Sequence, residues 1–365
     1  MNLATTLFDP AVALRLRELP MRTLEDVQQH FPGIPVEEEV DDSHLQALRL
    51  LTTSSCRMRC QYPDRNGDLW CHDEGMVRNS LKPASLEEML KVVEFFRDNH
   101  GVKQVNLAGL QPQLNDELLW FIRQLRQIGI SGVAFTSHGL KLVHWLPKLV
   151  DAGLTSLQLS VQGFSKEAYQ TIMGLDSFEN AKEVVDVAHR LKLPTAINRV
   201  LLKGYEGDIP GFLDWIKSRD LRVRLYDLMW KPGDDKHFLD FHISWQSLTH
   251  LWKDEVEKIV VWRFGQPGRL NLVFHLRGGG TIETNVSVPW EIHTAPACQG
   301  CSVKDVCTEG WLGCGIRVTP DTRVQPCLWR SDLSTPALPH AEGTASDEAA
   351  RYLDGLLEGK VALNE

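Results

Sequence analysis

Leu48-Arg49-Leu50-Leu51 leads through Thr52-Thr53-Ser54-Ser55 into Cys56-Arg57-Met58-Arg59-Cys60. The first four residues read as a short buried strand, and the thiols follow at its carboxyl end. Downstream the chain alternates. Ser85 and Glu88 form a capping box ahead of the apolar stripe Leu86, Met89, Leu90, Val93 and Phe96, which predicts a helix. A strand is expected at 104–107, then a helix with Leu118, Ile122 and Leu125 that Gly129 stops. Strands at 132–136, 156–161, 195–202 and 222–229 follow, with helices ending near Asp151 and covering 178–191 and 210–218. Alternation at this period builds βαβ units around a parallel sheet, either doubly wound or a partial barrel. In both, active-site groups gather at the carboxyl ends of the strands, where Cys56 falls.

Composition bounds the rest. The 365 residues are 43% hydrophobic and 24% charged, with a net charge of −9. No apolar run approaches the ~20 residues of a membrane helix, and the first residues lack a secretory leader's basic-then-apolar pattern. A cytoplasmic protein is expected, with neither nucleic acid nor membrane as partner, since both demand basic patches. The eight cysteines fall in two groups, at 56, 60 and 71 and at 298, 301, 307, 314 and 327. Clustered thiols in a reducing compartment are metal ligands or catalytic groups more often than disulfides or core residues.

Beyond residue 235 the alternation weakens. Strands are expected at 272–276 and 281–288, and Gly278-Gly279-Gly280 leads into a strand, so it reads as a hairpin turn rather than a phosphate loop. The sequence divides into a helical extension (1–45), six α/β units (46–235), a connecting subdomain (236–289), a cysteine-rich segment (290–335) and a tail (336–365).

The stretch Cys56 to Cys60, followed by Trp70-Cys71-His72-Asp73-Glu74-Gly75, resembles the cluster loop of radical S-adenosylmethionine (SAM) enzymes, in particular the branch containing the GTP 3′,8-cyclase of molybdenum-cofactor biosynthesis. The resemblance implies a partial (β/α)6 TIM-type barrel, a [4Fe–4S] cluster on Cys56, Cys60 and Cys71, and SAM on the iron left open by three thiolates. Ten residues separate Cys60 from Cys71, so 61–69 contains an insertion relative to the family loop. Tyr62-Pro63 offers a rival alignment that puts proline at the third position. Asn106-Leu107-Ala108-Gly109-Leu110-Gln111-Pro112 falls where the family has a Gly-Gly-Glu-Pro turn and departs from it at Ala108, Leu110 and Gln111. Thr136-Ser137-His138-Gly139, Leu159-Ser160-Val161-Gln162, Ala196-Ile197-Asn198-Arg199-Val200 and Leu225-Tyr226-Asp227-Leu228-Met229 resemble the family's later strand ends. On that basis Trp70, Gly109, Ser160, Gln162, Asn198 and Met229 are candidate SAM-binding residues. Ser160, Gln162 and Asn198 read equally well as polar groups that satisfy backbone amides.

Cys298-Gln299-Gly300-Cys301 with Cys307 is a compact ligand spacing. Gly315-Ile316-Arg317-Val318-Thr319-Pro320-Asp321 with Gln325-Pro326-Cys327-Leu328 resembles the auxiliary-cluster (SPASM or twitch-like) segment of the same family, Thr322 standing where the turn has glycine. A second [4Fe–4S] cluster on Cys298, Cys301, Cys307 and Cys327 is implied, with Cys314 as a spare; a structural zinc would accept the same ligands. The cyclase branch ends in a Gly-Gly tail, whereas this sequence ends Val361-Ala362-Leu363-Asn364-Glu365, and no arginine set stands out for a triphosphate. The expected activity is therefore formation of a 5′-deoxyadenosyl radical that modifies a peptide or small metabolite, with electrons from a reductase, flavodoxin or ferredoxin. The alternative is a non-catalytic iron–sulfur or zinc scaffold, or electron-transfer protein, on a degenerate barrel.

If Cys71 supplies the third thiolate, Cys71→Ala abolishes SAM cleavage. Pro63→Ala then leaves iron content and 5′-deoxyadenosine formation near wild type in an anaerobic assay. Full cleavage by Cys71→Ala would overturn the ligand assignment.

Overall fold

The computed structural model describes residues 8–40, 46–53, 58, 83–108, 114–263, 268–313 and 315–360. After β1 (Val36–Val40) come β2 (Ala47–Leu51), β3 (Gln104–Ala108), β4 (Gly132–Ser137), β5 (Ser156–Ser160), β6 (Thr195–Leu201) and β7 (Arg222–Asp227). Each of β2 to β6 pairs in parallel with the strand that follows it, through partners such as Leu48 with Val105 and Leu157 with Thr195. The spatial order β2-β3-β4-β5-β6-β7 never reverses. A doubly wound sheet needs a reversal, so this is the partial barrel. Helices Leu86–His100, Asp116–Gln127, Leu142–Ala152, Phe178–Arg190 and Ile209–Arg219 connect the strands.

Local chemistry explains the helix limits. Ser85 accepts from the Glu88 amide while the Glu88 carboxylate accepts from the Ser85 amide, closing the expected capping box. Gly101 and Gly153 take positive φ as C-caps. Leu50, Leu107, Phe135, Leu157, Ile197 and Val223 are buried along the sheet, each contributing roughly 1.5–3 kcal/mol of transfer free energy.

The carboxyl-terminal third continues the sheet on both sides. β8 (Val256–Arg263), β9 (Arg269–Leu276) and β10 (Thr281–Ser287) run antiparallel to one another, and β10 joins β7 in parallel. β9 and β10 turn at the triple glycine, the hairpin its reading predicts. On the opposite edge β11 (Ile316–Val318) joins β2 in parallel. It turns back as β12 (Arg323–Gln325), which pairs with β13 (Thr335–Pro336). Thr322 holds a left-handed φ of 64° at that turn, the position where the family has glycine.

Two elements depart from expectation. The extension is not all helix: Pro10–Arg17 and Leu24–His30 are helical, but part of the acidic run becomes β1, paired in parallel with β8. Glu37 and Glu38 form ion pairs there with Lys258 and Arg263, a tertiary compensation that local propensity does not register. β8 is a further strand, beyond those the sequence pattern predicts. Among the described residues no helix is long and apolar enough to cross a membrane.

Gly280 adopts φ +77°, and an added Cβ would lie 2.5 Å from Ile216 Cγ2 and 3.0 Å from the Leu221 carbonyl oxygen. Gly280→Ala is expected to destabilise by about 2 kcal/mol, read as a melting temperature several degrees lower; an unchanged melting temperature would count against this packing of the hairpin on the barrel.

Candidate active site

Strand ends are the only part of a parallel barrel where polar groups face an opening, because the interior layers below are filled with apolar side chains. A cavity of about 270 Å³ lies over the ends of β4 to β7. Its wall includes Thr136, Ser137, Gln158, Ser160, Gln162 and Asn198 from successive strands. Thr136 Oγ1 donates to Asn106 Oδ1 at 2.9 Å, and Asn106 Nδ2 reaches Gln158 Oε1 at 3.4 Å, linking β3, β4 and β5 through one polar layer.

Four of the six residues assigned to SAM from the sequence, Ser160, Gln162, Asn198 and Met229, line this one cavity. Their local roles differ. Gln162 Oε1 accepts from the Val200 amide at 2.6 Å, so the carbonyl end of that amide holds the backbone. Asn198 Oδ1 is buried with no protein partner, and a buried acceptor of this kind needs a donor from a ligand or water. Trp70, Gly109, Cys56, Cys60 and Cys71 lie outside the described residues, as does Cys314.

Two titratable groups on the wall were not singled out by the sequence. Asp227 ends β7, and its carboxylate accepts from Ser244 Oγ and from the Trp245 amide, both at 2.7 Å. Burial raises its pKa to about 7 against the pull of those two donors. His242 is pushed down to about 4 by burial and by the nearby Arg15 charge, so its ring is neutral at physiological pH; Nδ1 has no protein partner.

Three arginines complete the wall. Arg49 on β2 stands in register with Arg317 on β11. Arg317 pairs with Glu309 at 3.2 Å, both side chains almost wholly buried. Arg269 donates to the carbonyls of Gly313, Thr308 and Glu309 at 2.6, 2.9 and 2.5 Å, tying β9 to the cysteine-bearing loop. A charged residue between apolar neighbours on a short strand, as in Leu48-Arg49-Leu50 and Ile316-Arg317-Val318, was the available signal.

That loop carries the second cysteine group. Burial is the main influence pushing Cys298 and Cys327 up to about 12 and raising Cys307, and each also feels the charge of neighbouring cysteines in the group. The Trp329 amide donates to Cys327 Sγ at 3.4 Å. Among the described residues no three Cys, His, Asp or Glu side chains are arranged to hold a metal ion. The four thiols share a neighbourhood without forming a coordination shell.

A sequentially wound parallel barrel with a polar, partly unsatisfied cavity at the strand carboxyl ends is the arrangement of a barrel enzyme with a ligand site at its mouth. The radical SAM superfamily matches residues 50–216. The GTP 3′,8-cyclase of Stenotrophomonas maltophilia is 31% identical over 327 residues, covering 87% of this chain and 93% of its own. That of Synechococcus elongatus is 27% identical over 316 residues, 85% and 92% of the two chains. Among solved structures, SuiB of Streptococcus suis bound to S-adenosylmethionine aligns with a TM-score of 0.53 over 92% of this chain and 70% of its own, at 13% identity, a likeness of fold alone. The chain belongs to the radical SAM superfamily. It is an enzyme of that class, whose cofactors are a [4Fe–4S] cluster and SAM. The orphaned Asn198 acceptor and the polar strand ends suit a polar cofactor such as SAM.

The elevated Asp227 pKa has a signed consequence. Folding binds this proton more tightly than the unfolded chain does, so the protonated form contributes stability fully below pH ~4, and that contribution is lost as pH rises towards 7. Asp227→Asn removes the titration. Relative to wild type, the variant is expected to gain roughly 2–4 kcal/mol between pH 4 and pH 8, measured as urea midpoints; a constant difference across that range would refute it.

Proposed function

We propose that this radical SAM enzyme abstracts hydrogen from a small anionic metabolite seated in the barrel cavity, in cofactor or natural-product assembly. The carrying observation is the set Arg49, Arg269 and Arg317 on the cavity wall of a chain whose net charge is −9. Fixed guanidiniums inside a cavity concentrate anions and recognise carboxylate or phosphate through paired N–H donors. Glu309 offsets one charge and backbone carbonyls engage Arg269, so the cavity suits an anion of modest charge better than a bare triphosphate.

In this reading Cys56, Cys60 and Cys71 hold the cluster, and Trp70, Gly109, Ser160, Gln162, Asn198 and Met229 border SAM. The group supplies, when bound, the 5′-deoxyadenosyl radical. The protein's own residues orient and desolvate the substrate: the Asn198 acceptor fixes a donor of the cofactor, and neutral His242 lines the wall without adding charge. A second cluster on Cys298, Cys301, Cys307 and Cys327 belongs to the same reading; it rests on their sequence spacing and mutual electrostatic influence, and the thiols would have to draw together to hold it. A reductase, flavodoxin or ferredoxin supplies the electron.

The test is anaerobic reconstitution followed by assay for 5′-deoxyadenosine with and without GTP, the nucleotide in the relatives' name. The expected result is a brown protein with about eight irons that cleaves SAM, and a KM for its substrate at least tenfold higher in Arg49→Ala. Stoichiometric zinc with no SAM cleavage would favour the scaffold alternative. Cleavage stimulated only by a peptide would reject the small-anion reading.

A further inference from the structure

The N-terminal segment reads from sequence as a helical extension, and in the structure its Leu16, Leu19, Met21 and Arg22 line the same cavity as the strand ends. Its position there is built. The Met21 amide donates to Gln246 Oε1 at 2.8 Å, and Gln246 Nε2 donates back to the Met21 carbonyl at 2.9 Å, both buried. Arg15 reaches the His242 carbonyl at 3.3 Å, and the Asp9 amide donates to Asp235 at 2.9 Å. β1 then adds to β8, which fixes the segment's far end in the sheet.

At the cavity's edge this segment meets Trp290, a lining residue that keeps 43% of its surface exposed. The guanidinium carbons of Arg17 and Arg22 lie 5.8 and 5.4 Å from the centre of its ring. The Arg22 charge acts on the Asp26 carboxylate, whose Oδ2 accepts from the backbone amides of Arg22 and Thr23 at 2.8 Å. Two exposed cations are thus held against one indole at the opening of a cavity already lined by three further arginines. Each ring contact is worth ~0.5–1 kcal/mol at an exposed site, which orients the guanidiniums while leaving their N–H groups for an anion.

We infer that the N-terminal segment is a wall of the substrate site, and that Arg17, Arg22 and Trp290 form an outer subsite for an oxyanion of the substrate, phosphate or carboxylate, remote from the reacting carbon. This rests on the cavity being the substrate site and specifies which molecules enter it: small molecules bearing anionic groups at two separated positions.

Calorimetric titration of the anaerobically reconstituted full-length enzyme, with SAM present, tests it using inorganic tripolyphosphate and citrate as probes. Saturable binding of the former identifies phosphate chemistry, of the latter carboxylate. The Arg17→Gln, Arg22→Gln double variant should bind the preferred anion at least tenfold more weakly, with its melting temperature lowered by no more than a few degrees, since both side chains are exposed and only two ring contacts are lost. The corresponding double Lys variant should recover much of the affinity, since a cation is retained. An unchanged dissociation constant in the Gln variant, with weakened binding in Arg49→Ala, overturns the outer subsite and leaves the cavity reading standing. No loss in either variant, or no saturable binding of either probe by wild type, overturns both.

Discussion

An unclosed parallel barrel has two raw edges, and here each is covered by the chain's own carboxyl-terminal third. β7 receives β10, and β2 receives β11. An exposed parallel edge would present a row of unpaired amides and carbonyls ready to pair with another chain. Covering these edges moves the liability out to the glutamate-rich β1 and the two-residue β13, and also carries chemistry inward. The register that sets Ile316 beside Leu48 necessarily sets Arg317 beside Arg49, so two guanidiniums reach the cavity as a consequence of edge pairing.

The same economy governs the loop that follows β10. Arg269 grips three of its carbonyls, and Glu309 within it pairs with Arg317. Buried ion pairs add little net stability, because desolvation offsets the attraction. Their usual contribution is geometry, and here they lock a cysteine-bearing loop to both the β9–β10 hairpin and the β11 strand. A single arginine change in this network would disturb cavity and cysteine loop together, so substitutions there report on both at once.

Much of the barrel was legible in the sequence because period and caps coincide. The Ser85–Glu88 box and the triple-glycine hairpin appear where the residues predict them. The polar strand ends Ser160, Gln162 and Asn198 converge on one cavity because successive parallel strands bring equivalent positions to the same end. What was missed is non-local. β1 needed Lys258 and Arg263 to turn a run of glutamates into a strand. Asp227 needed Ser244 and Trp245, and the arginine wall needed the edge pairings. No short window of sequence contains both sides of those interactions.

The distribution of charge ties these features together. A chain with nine net negative charges keeps its arginines where they do the most, since a cation inside a low-dielectric cavity acts on a bound anion far more strongly than one on the surface. Several surface cations away from the cavity mouth are matched by carboxylates, as Lys236 by Asp240 and Arg219 by Asp186, and screening leaves such pairs weak. The cavity set is arranged otherwise. Arg269 is held through its two terminal nitrogens by carbonyls that do not neutralise it, so its charge persists at the wall. The acidic exterior and the cationic interior therefore act as one filter. Anions approach against the chain's overall field and gain binding only by reaching the mouth and wall, a cost that selects ligands whose shape carries their charge inward.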